Sequence, residues 1–432
     1  MSDLTSESLK QFKVSTYQKS LIKTQKHKIQ LDHPLIVGCL QFIFHKLLTN
    51  TKYHCKILNT ANLDLPYNEI VLSKGIDKLC RLMKHLQFSQ RFLLTSFSKF
   101  SDKFLKNVSL TLRNLHRLST LSLCFPFSNA ITDKGLKILS FNISQLKSLS
   151  TLKLSLICCD EMTSKAVYYL SKSLKSLKSL KNLRLYFSKF GGMDDQGIRY
   201  LSLALQNLPK LTNLLVNISV NHNITEFGLK KLNSSLKHLT NLQEFNLNLS
   251  HLKCTTNLAI SDLSSVFERM TCLLVLNLNF YSSSINSEGL TVLSKGLGKL
   301  KSLSVLFLNF SFCDQIDDEG VISLSRSIAE VRSLTMLNLV FACCYRVKNL
   351  GIENLSEGLK NLSALETLDL NFAHCREIND VGMKSLLGAL DCLKSLSTVG
   401  LRFKYCGVIS DAHYKAVMES KNFSKVSFEY MY

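Results

Sequence analysis

Residues 313–325 read CDQIDDEGVISLS, and the run Asp317, Asp318, Glu319 ahead of Gly320 has the donor types of a divalent-cation loop or a phosphate-holding turn. A thiol chemistry competes with it. Cys313, Cys344, Cys375 and Cys406 recur at 31-residue intervals, with Cys159 in the same register. Recurrence decides both cases. CREINDVGMKSLL begins at Cys375 and ITDKGLKILS at Ile131, so the acidic string belongs to a repeating unit and not to a unique site. Cysteines supplied once per unit lie about 5 Å apart on successive coils, so four span about 14 Å, too far to surround one tetrahedral zinc. A buried ladder of small apolar thiols is expected, with redox-sensitive pairing as the alternative, and the vicinal pairs Cys158–Cys159 and Cys343–Cys344 read the same way. His222, His238, His251 and His374 are scattered, with no His-Cys-Asp spacing that recurs as a site and no phosphate loop. The expectation is therefore no catalytic residue, no metal and no cofactor.

The elements that carry these residues are written in the period. Leu121, Leu152, Leu183, Leu214, Phe245, Leu276, Leu306, Leu337, Leu368 and Val399 are separated by eight steps of 31 residues and one of 30. Each is followed two and four residues on by further apolar residues; Leu308 and Phe310 follow Leu306 in this way. Alternation over five residues is a short strand with one face buried. The second half of each unit has helical spacing, as in Leu136, Leu139, Ile143 and Leu146. Just before each helix stands a residue of cap type: Asp133, Ser164, Asp195, Asn257, Ser287, Asp318, Asn349, Asp380 or Asp411, with only Glu226 departing from the set. Two residues later comes glycine or alanine, where the first helical turn is expected to pack against neighbouring backbone. In that reading IDDEG is a helix N-terminus, with Asp318 as its cap and Glu319 favoured by the helix dipole. The serines after the core leucines, such as Ser140, Ser294 and Ser325, are read as small residues where helices touch.

Two weaker units precede Leu121: residues 101–115 hold a helix, and residues 63–86 repeat strand, Ser73 cap, Gly75 and helix. The array is expected over 58–432, about twelve units; 32–57 reads as an apolar helical cap on its first coil, and 1–31 as a mobile basic arm. Composition agrees with a chain rich in core: 432 residues, 46% hydrophobic and 20% charged. The start MSDLTSESLK lacks a signal-peptide pattern, and the longest apolar run, 35–44, is about half of a bilayer span. A cytoplasmic protein with reduced thiols and no membrane insertion is expected. Lys and Arg number 53 against 32 Asp and Glu, a net +21 that favours an acidic partner; no nucleic-acid motif accompanies it, so no specific nucleic acid is expected.

The unit in LSVLFLNFSFCDQIDDEGVISLS (303–325) resembles the leucine-rich repeat, in its ribonuclease-inhibitor-like and cysteine-containing types, over about 375 of the 432 residues. It differs in being longer than the roughly 20–29 residues usual for the class, and in using Phe as a third inward rung. The resemblance implies an α/β solenoid, a horseshoe with parallel strands on the concave face and helices on the convex face. Strands pack about 4.8 Å apart and helices about 8–10 Å, so such a stack must curve. Similar arrays occur in large protist families, some fused to kinase-like domains, but no kinase motif is present here.

In such a scaffold the strand residues between inward rungs face a partner. They include Lys153; Arg184 and Tyr186; Asn213 and Asn217; Glu244, Asn246 and Asn248; Val275, Asn277 and Asn279. The series continues with Val305, Phe307 and Asn309; Met336 and Asn338; Asp369 and Asn371; and Arg402. The column Asn217, Asn248, Asn279, Asn309, Asn371 either bonds along itself or offers amides to a partner. Val275, Val305, Phe307 and Met336 form an apolar centre, where binding hot spots collect. Lys147, Lys178, Lys301, Arg332 and Lys394 fall at helix C-terminal turns, where cations complement the dipole. The expected function is a monomeric, non-enzymatic scaffold for a protein partner. Two alternatives come with the resemblance. One is an F-box-like ubiquitin-ligase receptor, faintly echoed by Leu40, Ile43, Phe44 and Leu47. The other is a Ran-type GTPase-activating protein, whose catalytic residues find no match here.

Overall fold

The computed structural model describes residues 60–65, 90–96, 101–418 and 423–429. The expected basic arm, helical cap and Ser73–Gly75 helix start lie outside the described residues. What is described is one open parallel sheet of 13 strands in sequential order. Strands β1 (Thr60–Leu65) and β2 (Arg91–Ser96) open it. Ten five-residue strands follow, from β3 (Thr120–Cys124) to β12 (Thr398–Arg402), and β13 (Lys425–Glu429) ends it. Helices from Asp102–Leu112 to Asp411–Met418 alternate with the strands on the other side. This is an α/β leucine-rich-repeat solenoid.

Register explains the core. Leu306, Leu337, Leu368 and Val399 are direct partners on adjacent strands, so identical rungs stack once per coil. The third rung stacks its rings: Phe280 on Phe310 at 5.4 Å between centroids, Phe310 on Phe341 at 5.2 Å, Phe341 on Phe372 at 5.3 Å and Phe372 on Phe403 at 5.6 Å. All five rings are buried, as are the leucines of the helical stripe. Strand and helix therefore share one continuous interior.

The caps sit one residue earlier than the sequence reading placed them. The capping positions are Thr132, Thr163, Asp194, Thr225, Thr256, Asn286, Asp317, Lys348 and Asn379. Asp318, Asp133 and their equivalents are instead the first helical residues, and several of them cap the next coil. The Asp318 carboxylate accepts the Lys348 N–H at 2.7 Å and the Gly351 N–H at 3.0 Å. Asp102, Asp133, Asp195, Asn349 and Asp380 accept the equivalent first N–H of the following coil at 2.7–2.9 Å. The reason is reach. A side chain at the first helical position points along the array, where the next helix presents its own unpaired N–H groups. Lys348 has no capping side chain, so its helix is capped only from the preceding coil.

The small residue two positions on has a corresponding purpose. A Cβ at Gly351 would lie 2.7 Å from Asp318 Oδ1, and at Gly135 2.3 Å from Asp102 Oδ1. At Gly135, Gly228 and Gly351 the glycine makes room for a carboxylate oxygen, whereas at Gly197 the nearest atom is the backbone oxygen of Gly192, as the sequence reading expects. Where Ala166 stands, Asp133 bonds only Thr163 and not the alanine N–H. We expect Asp318→Ala to cost about 1–2 kcal/mol in urea unfolding, and Asp318→Asn about a few tenths, because Asn349 already performs the same task. Equal losses for the two variants would contradict an inter-coil cap.

Candidate functional site: the concave strand face

Every strand from β6 (Asn213–Asn217) to β12 buries residues 2 and 4 and leaves residues 1, 3 and 5 partly exposed, the burial pattern that period-two alternation dictates. The sequence-predicted residues all lie on these outward positions or on their equivalents in β4 (Thr151–Ser155) and β5 (Asn182–Tyr186). The register sets them in three columns. One runs Asn213, Glu244, Val275, Val305, Met336; the second Lys153, Arg184, then Asn246, Asn277, Phe307, Asn338, Asp369; the third Tyr186, Asn217, Asn248, Asn279, Asn309, then Asn371 and Arg402.

Two polar networks divide this surface. Glu244 accepts from Asn213 Nδ2 at 2.7 Å and Asn246 Nδ2 at 2.9 Å, with the Arg184 guanidinium at 3.8 Å. Asp369 accepts from Arg402 at 2.6 Å and Asn338 Nδ2 at 3.1 Å, and Lys404 meets Glu429 at 3.2 Å. Lys153 lies over the Tyr186 ring, 5.3 Å from its centroid, and burial pushes the Tyr186 phenol up from its ordinary pKa. Between the networks stand Val275, Asn277, Val305, Phe307 and Met336, half-buried and uncharged.

The asparagine column does not bond along itself. Each Oδ1 accepts the backbone N–H two residues on: Ser219, Ser250, Tyr281, Ser311 and Ala373, at 2.9–3.1 Å. The oxygen thereby shapes the turn that leaves the strand. The five Nδ2 groups donate to no protein atom among the described residues, which leaves a column of amide donors on the concave edge.

The cysteine ladder lies beneath that edge. Cys313, Cys344, Cys375 and Cys406 each place Sγ 3.1–3.2 Å from the carbonyl of a phenylalanine rung in the preceding coil: Phe280, Phe310, Phe341 and Phe372. Asn221 occupies the same column and donates Nδ2 to the Phe187 carbonyl at 2.7 Å. Cys and Asn satisfy that carbonyl from this position, and Phe190 and Leu252 fill it in other coils as buried apolar side chains. Burial pushes the Cys159 thiol up to about 11 and the Cys406 thiol up to about 12, and raises Cys344 and Cys375 strongly, so thiolate chemistry at neutral pH is suppressed. Among the described residues no group of three His, Cys, Asp or Glu could hold a metal ion, and no helix is long and apolar enough to cross a membrane.

A further column escaped the sequence reading. Phe127, Cys158, Lys189, Val220, His251, Ser282, Phe312, Cys343, His374 and Tyr405 all adopt left-handed backbone, with φ between 47° and 65° and no glycine among them. Among the described residues, all but Tyr405 offset the strain with an inter-coil bond, as in Phe312 N–H to Ala342 O at 2.8 Å and His374 N–H to Lys404 O at 2.7 Å. The turn lifts rings onto the rim beside the asparagines: Tyr281 lies 5.2 Å from Phe312 and His374 4.6 Å from Tyr405. Recurrence at 31 residues was the available signal, but mixed residue types masked it.

Fold and face together define a leucine-rich-repeat array with a polar and apolar strand surface. The leucine-rich-repeat family model matches residues 301–325. No curated protein matches the sequence. Among solved structures the chain is similar to the complex of Rad7 and Elc1 in yeast, at 15% identity over 87% of this chain and 95% of that one, with a TM-score of 0.30. It is also similar to the TLR13–ssRNA13 complex, at 17% identity and a TM-score of 0.43; the match covers 87% of this chain and 50% of that one.

Proposed function

We propose that the chain is a non-enzymatic scaffold that holds a protein partner on its concave strand face. The supporting observation is the uncharged centre around Phe307, bracketed by the Glu244 and Asp369 networks and edged by amide donors that the fold leaves unused. A half-buried ring and aliphatic neighbours supply desolvated contact area, and the Nδ2 column suits the carbonyl oxygens of an extended peptide segment. The flanking networks hold their charges in fixed geometry, so a partner of complementary charge at both ends is favoured by register.

The test is affinity capture by the full chain followed by titration of the captured partner. Phe307→Asp with Asn277→Ala should weaken binding by at least about tenfold, equivalent to about 1.4 kcal/mol, with an unchanged unfolding midpoint. Asn309 is left intact because its Oδ1 holds both Ser311 N–H and Ser311 Oγ–H, so replacing it would disturb the turn as well. Full retention of binding by the double variant removes the concave centre as the site.

A further inference from the structure

The outward faces of the helices differ along the array. In the five helices from Asp102–Leu112 to Glu226–Leu236, the second, fifth and ninth residues face away from the core. Those fifteen positions hold eight Lys or Arg and no Asp or Glu. The same positions of the next five helices, Asn257–Phe267 to Asp380–Leu390, hold three basic and four acidic residues. The cations are therefore gathered on one half of the helical face.

Carboxylates at the first helical positions do not offset these cations. The acids of the first helices, Asp102, Asp133 and Asp195, are turned sideways to the N–H groups of Thr132, Thr163 and Thr225. Lys103, Lys134 and Lys165 on the first turns, and Lys106, Lys137 and Arg199 on the second, form no ion pair among the described residues. Adjacent helices lie about 8–10 Å apart, so the cations form a strip across consecutive helices. Along its C-terminal edge run exposed apolar side chains: Leu110, Phe141 and Leu203 are 49%, 66% and 40% exposed. Phe227 and Tyr168 stand within the strip itself, also exposed.

We propose that this helical face docks peripherally on an anionic bilayer surface, independently of the concave face. Cations beside an edge of exposed Leu and Phe match the two layers of a lipid interface, headgroup phosphate and the start of the acyl region. Nucleic acid fits the pattern less well. Seven of the eight cations are Lys, which lacks the forked geometry of Arg, and the exposed rings Phe141, Tyr168 and Phe227 are interleaved with Leu110 and Leu203, which offer a base nothing to stack on.

The experiment is co-sedimentation of the full chain with vesicles of phosphatidylcholine alone or with a third phosphatidylserine. Binding should require phosphatidylserine and fall steeply as salt rises from about 0.05 M to about 0.5 M, since screening shortens the reach of the strip. Combining Lys103→Glu, Lys106→Glu, Lys134→Glu and Lys137→Glu should weaken it by about 100-fold or more. Lys295→Glu, Arg326→Glu and Lys384→Glu on the other half should leave it unchanged. Leu110→Ser with Phe141→Ser should weaken it by about tenfold at unaltered salt dependence. Glutamine versions of the four lysines serve where reversal disturbs folding. Equal binding to both vesicles, or wild-type binding by the lysine variants, overturns the proposal. Binding untouched by the Leu110 and Phe141 changes, with single-stranded RNA competing for the strip, assigns the face to a polyanion and overturns the lipid assignment.

Discussion

Phe341→Ala should cost about 3–5 kcal/mol of folding free energy, the range for removing a fully buried ring without refilling its space. The ring is 0% exposed and lies between Phe310 and Phe372 at 5.2 and 5.3 Å. Deletion therefore opens a void in the middle of a stack and strips a face from two further rings. The Phe341 carbonyl also accepts from Cys375 Sγ at 3.2 Å, so relaxation of this strand end disturbs the thiol ladder of the next coil. In a solenoid each unit is stabilised chiefly by its two neighbours, and the damage should be local. Urea unfolding would show the loss, and amide exchange should rise first in the coils of Phe310 and Phe372. Phe341→Leu should cost less, about 1–2 kcal/mol, because Leu156 and Leu249 fill the same rung elsewhere. A loss below about 1 kcal/mol for the alanine variant would mean that the rings do not share one interior.

The architecture was legible because it is periodic. One 31-residue phase placed β3 to β12 and the inward phenylalanines, since alternation within a strand admits a single buried face. Elements that break the phase were the ones missed. Phe92 in β2 precedes Leu121 by 29 residues and Val426 in β13 follows Val399 by 27, so neither strand emerges from a 31-residue comb. The cap assignment failed for a different reason. Asp317 and Asp318 are both competent caps, and only the position of the next coil decides that Asp317 bonds its own Glu319 N–H while Asp318 reaches Lys348. Among the candidate site residues, sequence reasoning placed outward positions correctly because strand geometry dictates them. It could not show that the Asn217 and Asn309 oxygens are already taken by Ser219 and Ser311, a local backbone bond with no signature in side-chain spacing. The unequal helical faces leave no mark on the core period, because the buried stripe repeats from helix to helix while its outward complement varies.

The same substitution at two helix-interior glycines should give opposite signs. In an exposed helix Gly→Leu gains up to about 1 kcal/mol, because glycine gives up the most backbone freedom on folding. Gly388 meets this condition, since a Cβ there would find nothing within 4 Å. Gly388→Leu should therefore raise the urea midpoint. Gly358, on helix Asn349–Leu359, faces Ser325 of the preceding helix, where a Cβ would lie 2.2 Å from Oγ and 2.8 Å from the carbonyl oxygen. Ser325 Oγ already donates to Asn354 O at 2.5 Å, so it cannot swing aside without losing that bond. Ala389 occupies the equivalent position of the next helix, so the fold tolerates a methyl where the spacing permits; a four-carbon side chain at Gly358 must push the two helices apart along their whole contact. Gly358→Leu should cost about 3 kcal/mol, the upper end of overpacking losses. Ser325→Ala in the same chain should recover only part of it, because the backbone oxygen stays in place. Stabilisation by Gly358→Leu, or full rescue by Ser325→Ala, would show that helix spacing here is set by something other than close approach of small residues.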